Sequence, residues 1–183
     1  ISLEFIPNVT QVSGSTFQLI IVNVTVDAGF DPGVYNGTLN ITSTGGSKNI
    51  SLEIEVPITK TWNVTPVSCE KPMAPRVGIV CQIRVNNTGN MPFYFTISPQ
   101  YGNYTSVNET NFTLLKQESH VFRVDYNATD AAAQFHYSYF NLSVNETDAS
   151  PHYVILTMIL NPYIGALINF TVPPNETEQL GIF

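Results

Sequence analysis

The chain has 183 residues, a formal net charge of −7, 43% hydrophobic residues and only 11% charged ones. Its charged share is about half that of ordinary soluble proteins, yet aromatic and β-branched residues are plentiful, which excludes a disordered chain. The seven basic residues (Lys48, Lys60, Lys71, Arg76, Arg84, Lys116 and Arg123) are scattered, which leaves no phosphate-tracking stripe and argues against nucleic acid as a partner.

Period-two alternation, bounded by Gly, Pro, Asn and Asp clusters, runs through the sequence and predicts strands almost throughout. ISLEFIP (1–7) sets Ile1, Leu3 and Phe5 against Ser2 and Glu4. Four strands follow at 8–13, 17–26, 34–43 and 48–57. In FQLIIVNVTV (17–26), Ile20, Val22, Val24 and Val26 share one face. Tyr35, Leu39 and Ile41, then Ile50, Leu52, Ile54 and Val56, point inward along the next two strands, and STGGSK between them reads as a turn. A boundary falls near VPITKTW (56–62). Beyond it seven strands are expected, at 61–69, 77–86, 91–98, 111–115, 119–126, 135–145 and 151–161, with a short helical turn in 127–135. Seven is the strand number of an immunoglobulin-like sandwich. GALINFTV (165–172) again alternates, with Ala166, Ile168, Phe170 and Val172 on one face.

The expected fold is therefore all-β, with two tandem immunoglobulin-like β-sandwich domains. Residues 1–6 form an N-terminal extended strand, 7–58 a small β domain, 61–162 the seven-stranded sandwich, and 163–183 a C-terminal strand and tail. Four strands are too few for a self-sufficient sandwich, and both termini can supply another.

Asn-x-Ser/Thr acceptor triplets begin at Asn8, Asn23, Asn36, Asn40, Asn49, Asn63, Asn86, Asn103, Asn108, Asn111, Asn127, Asn141, Asn145, Asn169 and Asn175, which is 15 of the 18 Asn residues. With 32 Ser and Thr in the chain, chance would place roughly three of the Asn in such triplets. The triplet itself has period two, so Asn and Thr face solvent while the middle residue packs inside. Sugars would line the outer strand faces and shield them from unwanted pairing. Cys69 and Cys81, the only two cysteines, suggest one disulfide in an exported chain, worth about 3 kcal/mol for so short a loop. No run of 18 apolar residues is present, so no membrane span is expected, and the sequence reads as a mature secreted chain whose leader has been removed. The scarcity of ionic side chains suits an acidic, hot exterior, because carboxylate ion pairs fail on protonation whereas amides, hydroxyls and sugars keep their hydrogen bonds.

Signals for catalysis are weak. His120, His136 and His152 share no ligand spacing with Asp, Glu or Cys, and no nucleophile elbow, phosphate loop or zinc motif appears. Glu53 and Glu55 are placed on a solvent face, and Asp27 and Asp31 in VDAGFDPG (26–33) read as a turn built on Asp-Pro-Gly rather than a calcium loop. No enzyme activity, catalytic residue, metal or cofactor is expected; the modification expected is covalent N-linked glycan.

FDPGVYNGTLNITSTGGSKNISLEIEVPI (30–58) resembles a widespread extracellular immunoglobulin-like module through Pro32, Gly33, Tyr35, Gly37, Leu39 and Ile41. IRVNNTGNMPFYFTI (83–97) is similar to the Asn-Thr-Gly-Asn turn of archaeal surface modules. With the dense sequons and spare terminal strands, the chain resembles subunits of the archaeal thread filament of thermoacidophiles. That resemblance implies a glycosylated pilin-like protein at the cell surface, assembled head to tail with identical subunits by donor-strand complementation, and serving adhesion or biofilm cohesion. The donor would be the strand of Ile1, Leu3 and Phe5, by analogy with chaperone–usher pilins, or alternatively that of Ile168, Phe170 and Val172. The rival reading is a monomeric adhesion or carbohydrate-binding ectodomain, or a surface-layer fragment, with Tyr101, Tyr104, Tyr137 and Tyr139 as an aromatic cluster.

Overall fold

The computed structural model describes residues 1–7, 12, 14, 17–74 and 76–162, and among them all regular structure is β. Thirteen strands follow one another: β1 (Ser2–Ile6), β2 (Ile21–Thr25), β3 (Gly33–Ser43), β4 (Gly46–Val56), β5 (Trp62–Thr65), β6 (Ser68–Pro72), β7 (Val77–Asn87), β8 (Phe93–Tyr101), β9 (Thr105–Val107), β10 (Asn111–Leu114), β11 (Ser119–Asn127), β12 (His136–Val144) and β13 (Tyr153–Asn161). The all-β, immunoglobulin-like sandwich class expected from the alternation is what the chain adopts.

Residues 62–161 form two facing sheets, of strand order β10-β8-β12-β13-β6 and β5-β7-β11-β9. Every pairing is antiparallel except that of β13 with β6. The alternate residues Phe93, Phe95 and Ile97 of β8, Phe140, Leu142 and Val144 of β12, and Leu156, Met158 and Leu160 of β13 meet Ile83 and Val85 of β7 and Phe122, Val124 and Tyr126 of β11 in one core. Trp62 stands edge-on to Phe95 with ring centroids 5.1 Å apart, and Phe95 stacks on Phe112 at 5.0 Å. Such contacts add to the burial that drives the two sheets together.

The sandwich has nine strands rather than seven. The expected strand 61–69 is two strands, because Pro66 has no N–H to continue a ladder. The chain crosses there from β5, at the edge of the four-stranded sheet, to β6, at the edge of the five-stranded one. The second addition is β9, three residues paired with β11, too short to leave a periodic signal. Instead of a helical segment, 127–135 makes a turn whose Ala128 and Ala131 carbonyls accept from Arg76 Nη1 at 3.1 and 2.7 Å. Cys69 on β6 and Cys81 on β7 are joined by a disulfide that staples one sheet to the other, with Cα atoms 6.3 Å apart.

The N-terminal part is built differently. β1 pairs with β2 in the register Ser2↔Thr25 to Ile6↔Ile21, and β3 pairs with β4 from Gly33↔Val56 to a tight turn at Ser43↔Gly46. Both sheets have only two strands. The strand expected at 17–26 is shorter, Ile21–Thr25, and of the one expected at 8–13 all but exposed Val12 lies outside the described residues. Val56 is the single buried apolar residue described before Trp62, whereas Leu3, Val24, Val34, Ile41 and Ile50 stay exposed. Two two-stranded ribbons, one with five-residue arms and one with eleven-residue arms, can satisfy their own ladders, but they cannot enclose a core.

The connection between the two parts is firmly held. Asn90, only 7% exposed, accepts from Thr59 N at 2.7 Å through Oδ1, donates to Pro57 O at 2.9 Å, and its own backbone N donates to Thr59 O at 3.1 Å. Gly89 has to be glycine, because a Cβ there would lie 2.3 Å from Thr59 O.

Candidate functional site

Between the two ribbons lies an open groove of about 420 Å³, lined by Ile1, Leu3, Phe5, Leu39, Leu52 and Ile54, with Phe30, Tyr35 and Asn36 at its rim. Alternation explains the lining: odd residues of β1 and the inward-facing residues of β3 and β4 share its walls. Tyr35 is fixed by its hydroxyl donating to Asp31 O at 2.8 Å and by an edge contact with Phe30 at 5.1 Å. Leu39, Leu52 and Ile54 remain half-buried, so apolar surface faces solvent where a sandwich would have a second layer. Each ribbon also leaves strand edges without a partner among the described residues.

The candidate donor strand 1–6 is placed at this groove, paired along one edge with β2 of its own chain. Ile168, Phe170 and Val172 of the alternative donor lie outside the described residues. The sequence marks Leu39, Leu52 and Ile54 as inward-facing but not as groove walls; the signal would have been the shortage of strands covering them.

The asparagines divide by role. Of the twelve described sequon residues, Asn23, Asn36, Asn40, Asn49, Asn63, Asn103, Asn108, Asn111, Asn127 and Asn145 are exposed, Asn86 and Asn141 half-buried, and none buried. The two buried ones, Asn87 and Asn90, begin no triplet and serve the fold. Asn87 donates to Met91 O at 2.8 Å and Leu115 O at 3.0 Å while accepting from Gly89 N at 2.9 Å. Register reveals an arrangement that the linear sequence hides: Asn40 is directly opposite Asn49, and Asn63 opposite Asn86, whose side chain donates to Asn63 Oδ1 at 2.6 Å. Asn8, Asn169 and Asn175 lie outside the described residues.

Tyr101, Tyr104 and Tyr137 line a second cleft of about 510 Å³ with Asn103, Phe135 and His136, and Tyr139 backs it, its ring 6.1 Å from that of Tyr101. The three histidines are apart: His120 Nε2 is 2.7 Å from Glu109 Oε1, His136 contacts Ala132 O, and His152 contacts Glu146 O. Among the described residues, no three His, Cys, Asp or Glu side chains gather as a metal site, and no helix is long and apolar enough to cross a membrane. Glu53 and Glu55 are exposed on β4, and Asp31 accepts from Lys116 Nζ at 2.6 Å. Lys60, beside the connection, donates to Asp148 at 2.7 Å and Glu146 at 3.2 Å. The hydrogen bond to Asp148, then that to Glu146, raises the lysine's pKa above its ordinary 10.5, and the bond from Lys60 holds the Asp148 carboxyl below its ordinary 3.8.

No protein-family model and no curated protein sequence matches the chain. Among solved structures, the chain is similar to one of the chaperone–tip adhesion subunit pre-assembly complex CsuC–CsuE of Acinetobacter baumannii archaic chaperone–usher pili, with 7% identity, a TM-score of 0.45, 55% of this chain and 56% of that one covered. It is also similar to a Porphyromonas gingivalis W83 protein of unknown function (12% identity, TM-score 0.46, 87% and 79% covered). A third is the Escherichia coli chaperone DraB (9% identity, TM-score 0.46, 57% of each covered). The chain spans little more than half the length of the first and third of these. At such identities and TM-scores no function is transferred from them.

Proposed function

We propose that the protein is a structural subunit of an extracellular, N-glycosylated surface filament that polymerises head to tail by donor-strand complementation, without enzymatic activity. The observation that carries this reading is the groove walled by Leu39, Leu52 and Ile54, an apolar layer that its own chain leaves half-covered. A strand from a second copy, laid along a free edge, pairs its backbone groups and buries alternate side chains. Burying Ile1, Leu3 and Phe5 of that copy contributes roughly 5–8 kcal/mol before ordering costs. In that exchange β1 of one copy takes the place beside these walls that β1 of the next holds in the single chain, so donor strand and acceptor walls are different surfaces, and the contact is heterologous and propagates as a filament unless it closes into a ring. β1 is the favoured donor: it already fits beside these walls, and it is held by a single neighbouring strand. The exposed sequon residues support an outer coat of covalent glycans, and the residues 61–162 support a self-standing domain that carries it.

Negative-stain microscopy of the native secreted protein, beside versions lacking residues 1–6 or 165–183, tests this. Filaments from the full chain that vanish on removing 1–6 are expected. Loss only with 165–183 would transfer the donor role to Ile168, Phe170 and Val172, and dispersed particles in every sample would overturn the filament.

A further inference from the structure

The second cleft has chemistry that strand exchange does not use. Its lining includes exposed rings: Tyr101 is 68% exposed, Phe135 54% and Tyr137 44%. Gln100, Asn103 and Gln134 are interleaved with them. Exposed rings beside amides are poor material for a hydrophobic protein interface and good material for a pyranose. The C–H groups on one face of the sugar carry partial positive charge and meet the negative face of a ring, while amides bond its hydroxyls. At about 510 Å³ the cleft is of the size that holds one small ligand.

One side chain in the lining can hold such a ligand covalently. Asn103 is exposed and opens the triplet Asn103-Tyr104-Thr105, and Tyr101 stands two residues before it. The intervening Gly102 has φ +104, and a Cβ on it would lie 2.2 Å from Ser138 Oγ, so the turn is pressed against buried Ser138 of β12. Tyr101 and Asn103 are thereby fixed relative to each other. Tyr139 behind Tyr101, and the edge contact of Tyr104 with His136 at 4.5 Å, hold the surrounding rings.

We infer that this cleft is the seat of Asn103's own glycan, with the first pyranose lying against the Tyr101 ring. The inference rests on the reading above that the sequons carry sugar. In the attachment step the Asn103 carboxamide nitrogen displaces a phosphate from C1 of a lipid-linked oligosaccharide: the C–N bond forms, the C–O bond breaks, the phosphate leaves with the electron pair and the nitrogen gives up one proton. A sugar tethered two residues from its platform has a high effective concentration there, so it outcompetes any free saccharide for the cleft. Asn103 is then a site where glycosylation stabilises the fold as well as coating it.

The test uses full-length native glycoprotein and three variants, Tyr101→Ala, Asn103→Gln and the double substitution, with glycopeptide mass spectrometry at every sequon. Sugar on Asn103 is expected, and Tyr101→Ala should lower Tm by about 4 °C when Asn103 is present but by less than about 1 °C beside Asn103→Gln. Tyr101→Phe, which keeps the ring, should retain the wild-type Tm. Equal losses in both backgrounds would show that Tyr101 only packs against Tyr139 and would overturn the inference. So would an unmodified Asn103 among other glycosylated sequons, or Tyr101-dependent binding of free chitobiose to native protein, which would make the cleft a receptor for external sugar. Sugar on no sequon at all would overturn the inference together with the glycan coat.

Discussion

Thr59 and Asn90, 31 residues apart in sequence, hold each other from both sides: Thr59 N donates to Asn90 Oδ1 at 2.7 Å and Asn90 N donates to Thr59 O at 3.1 Å. The segment that leaves the N-terminal ribbons is thus bonded to the β7–β8 turn as firmly as a strand to its neighbour. Asn90→Ala removes the acceptor for Thr59 N and the donor for Pro57 O at a buried position. It is expected to destabilise by about 1–3 kcal/mol, read from denaturant midpoints, with Asn90→Asp, which keeps the acceptor, losing less. Gly89→Ala should also destabilise, because its Cβ meets the Thr59 carbonyl and not a side chain that could swing away.

The groove makes a prediction that separates assembly from folding. Leu52→Lys puts a charge on a wall that a single chain leaves half-buried. Filaments should be lost in micrographs, while the Tm of the sandwich, whose core begins at Trp62, stays within about 2 °C of wild type. A large fall in that Tm would mean that Leu52 serves the monomer's own packing.

The acid response of Lys60 and Asp148 follows from the directions of their shifts. Asp148, with its pKa depressed, contributes stability above 3.8, and the contribution fades as pH falls through its lower folded value. Lys60, with its pKa raised, contributes fully below 10.5 and loses its part as pH climbs through the higher folded value. Asp148→Asn should therefore lower Tm slightly at neutral pH, with the difference from wild type shrinking as pH falls below 3.8, the effect being small because the pair is open to solvent. Scanning calorimetry across a series of pH values from neutral to strongly acidic checks this.

Occupancy should be anticorrelated at the facing sequons. Directly opposed residues on antiparallel strands have Cβ atoms about 5 Å apart, too close for two sugars to stand side by side without conflict. Mass spectrometry of intact glycopeptides should find Asn40 or Asn49 modified, and Asn63 or Asn86, far more often than both members of either pair. Independent, full occupancy at all four would contradict the crowding argument.

Replacing Cys69 and Cys81 together by Ala should cost the sandwich about 3 kcal/mol, measured by urea unfolding, and reducing agent should do the same to the native protein.

Alternation made most of the sandwich legible. The parity of Phe140, Leu142 and Val144 against Asn141 and Ser143 is the parity of burial in β12. Of the inward set read for β4, Ile50, Leu52, Ile54 and Val56, the last three are at least half-buried while Ile50 is exposed, since coverage depends on how many strands come to lie over it. Local pattern is also blind to the sheet switch at Pro66, where neighbours in sequence join different sheets, and to three-residue β9, whose strand character comes from β11 beside it. The cluster of Tyr101, Tyr104 and Tyr137 was readable, but the facing sequons and the place of Asn103 in that cleft stayed hidden for the same reason: register and a glycine-pinned turn bring those residues together, and neither has a period. Asn87 and Asn90 could have been singled out as two of the three asparagines without a triplet, in a chain where nearly every other one has it.

The staple between β6 and β7 has a mechanical consequence. A filament at a surface works under tension, and a pulled module yields length in proportion to the residues it releases. Cys69 and Cys81 are 12 positions apart with Cα atoms 6.3 Å from each other, so the intervening segment cannot pay out, and at roughly 3.4 Å per residue this withholds about 35 Å that an unbridged chain would give. In single-molecule stretching the oxidised module should extend by that much less than the reduced one. In the filament proposed above, the crosslink would make each copy a shorter-yielding link, one that stops lengthening before its core strands are drawn out into a free thread.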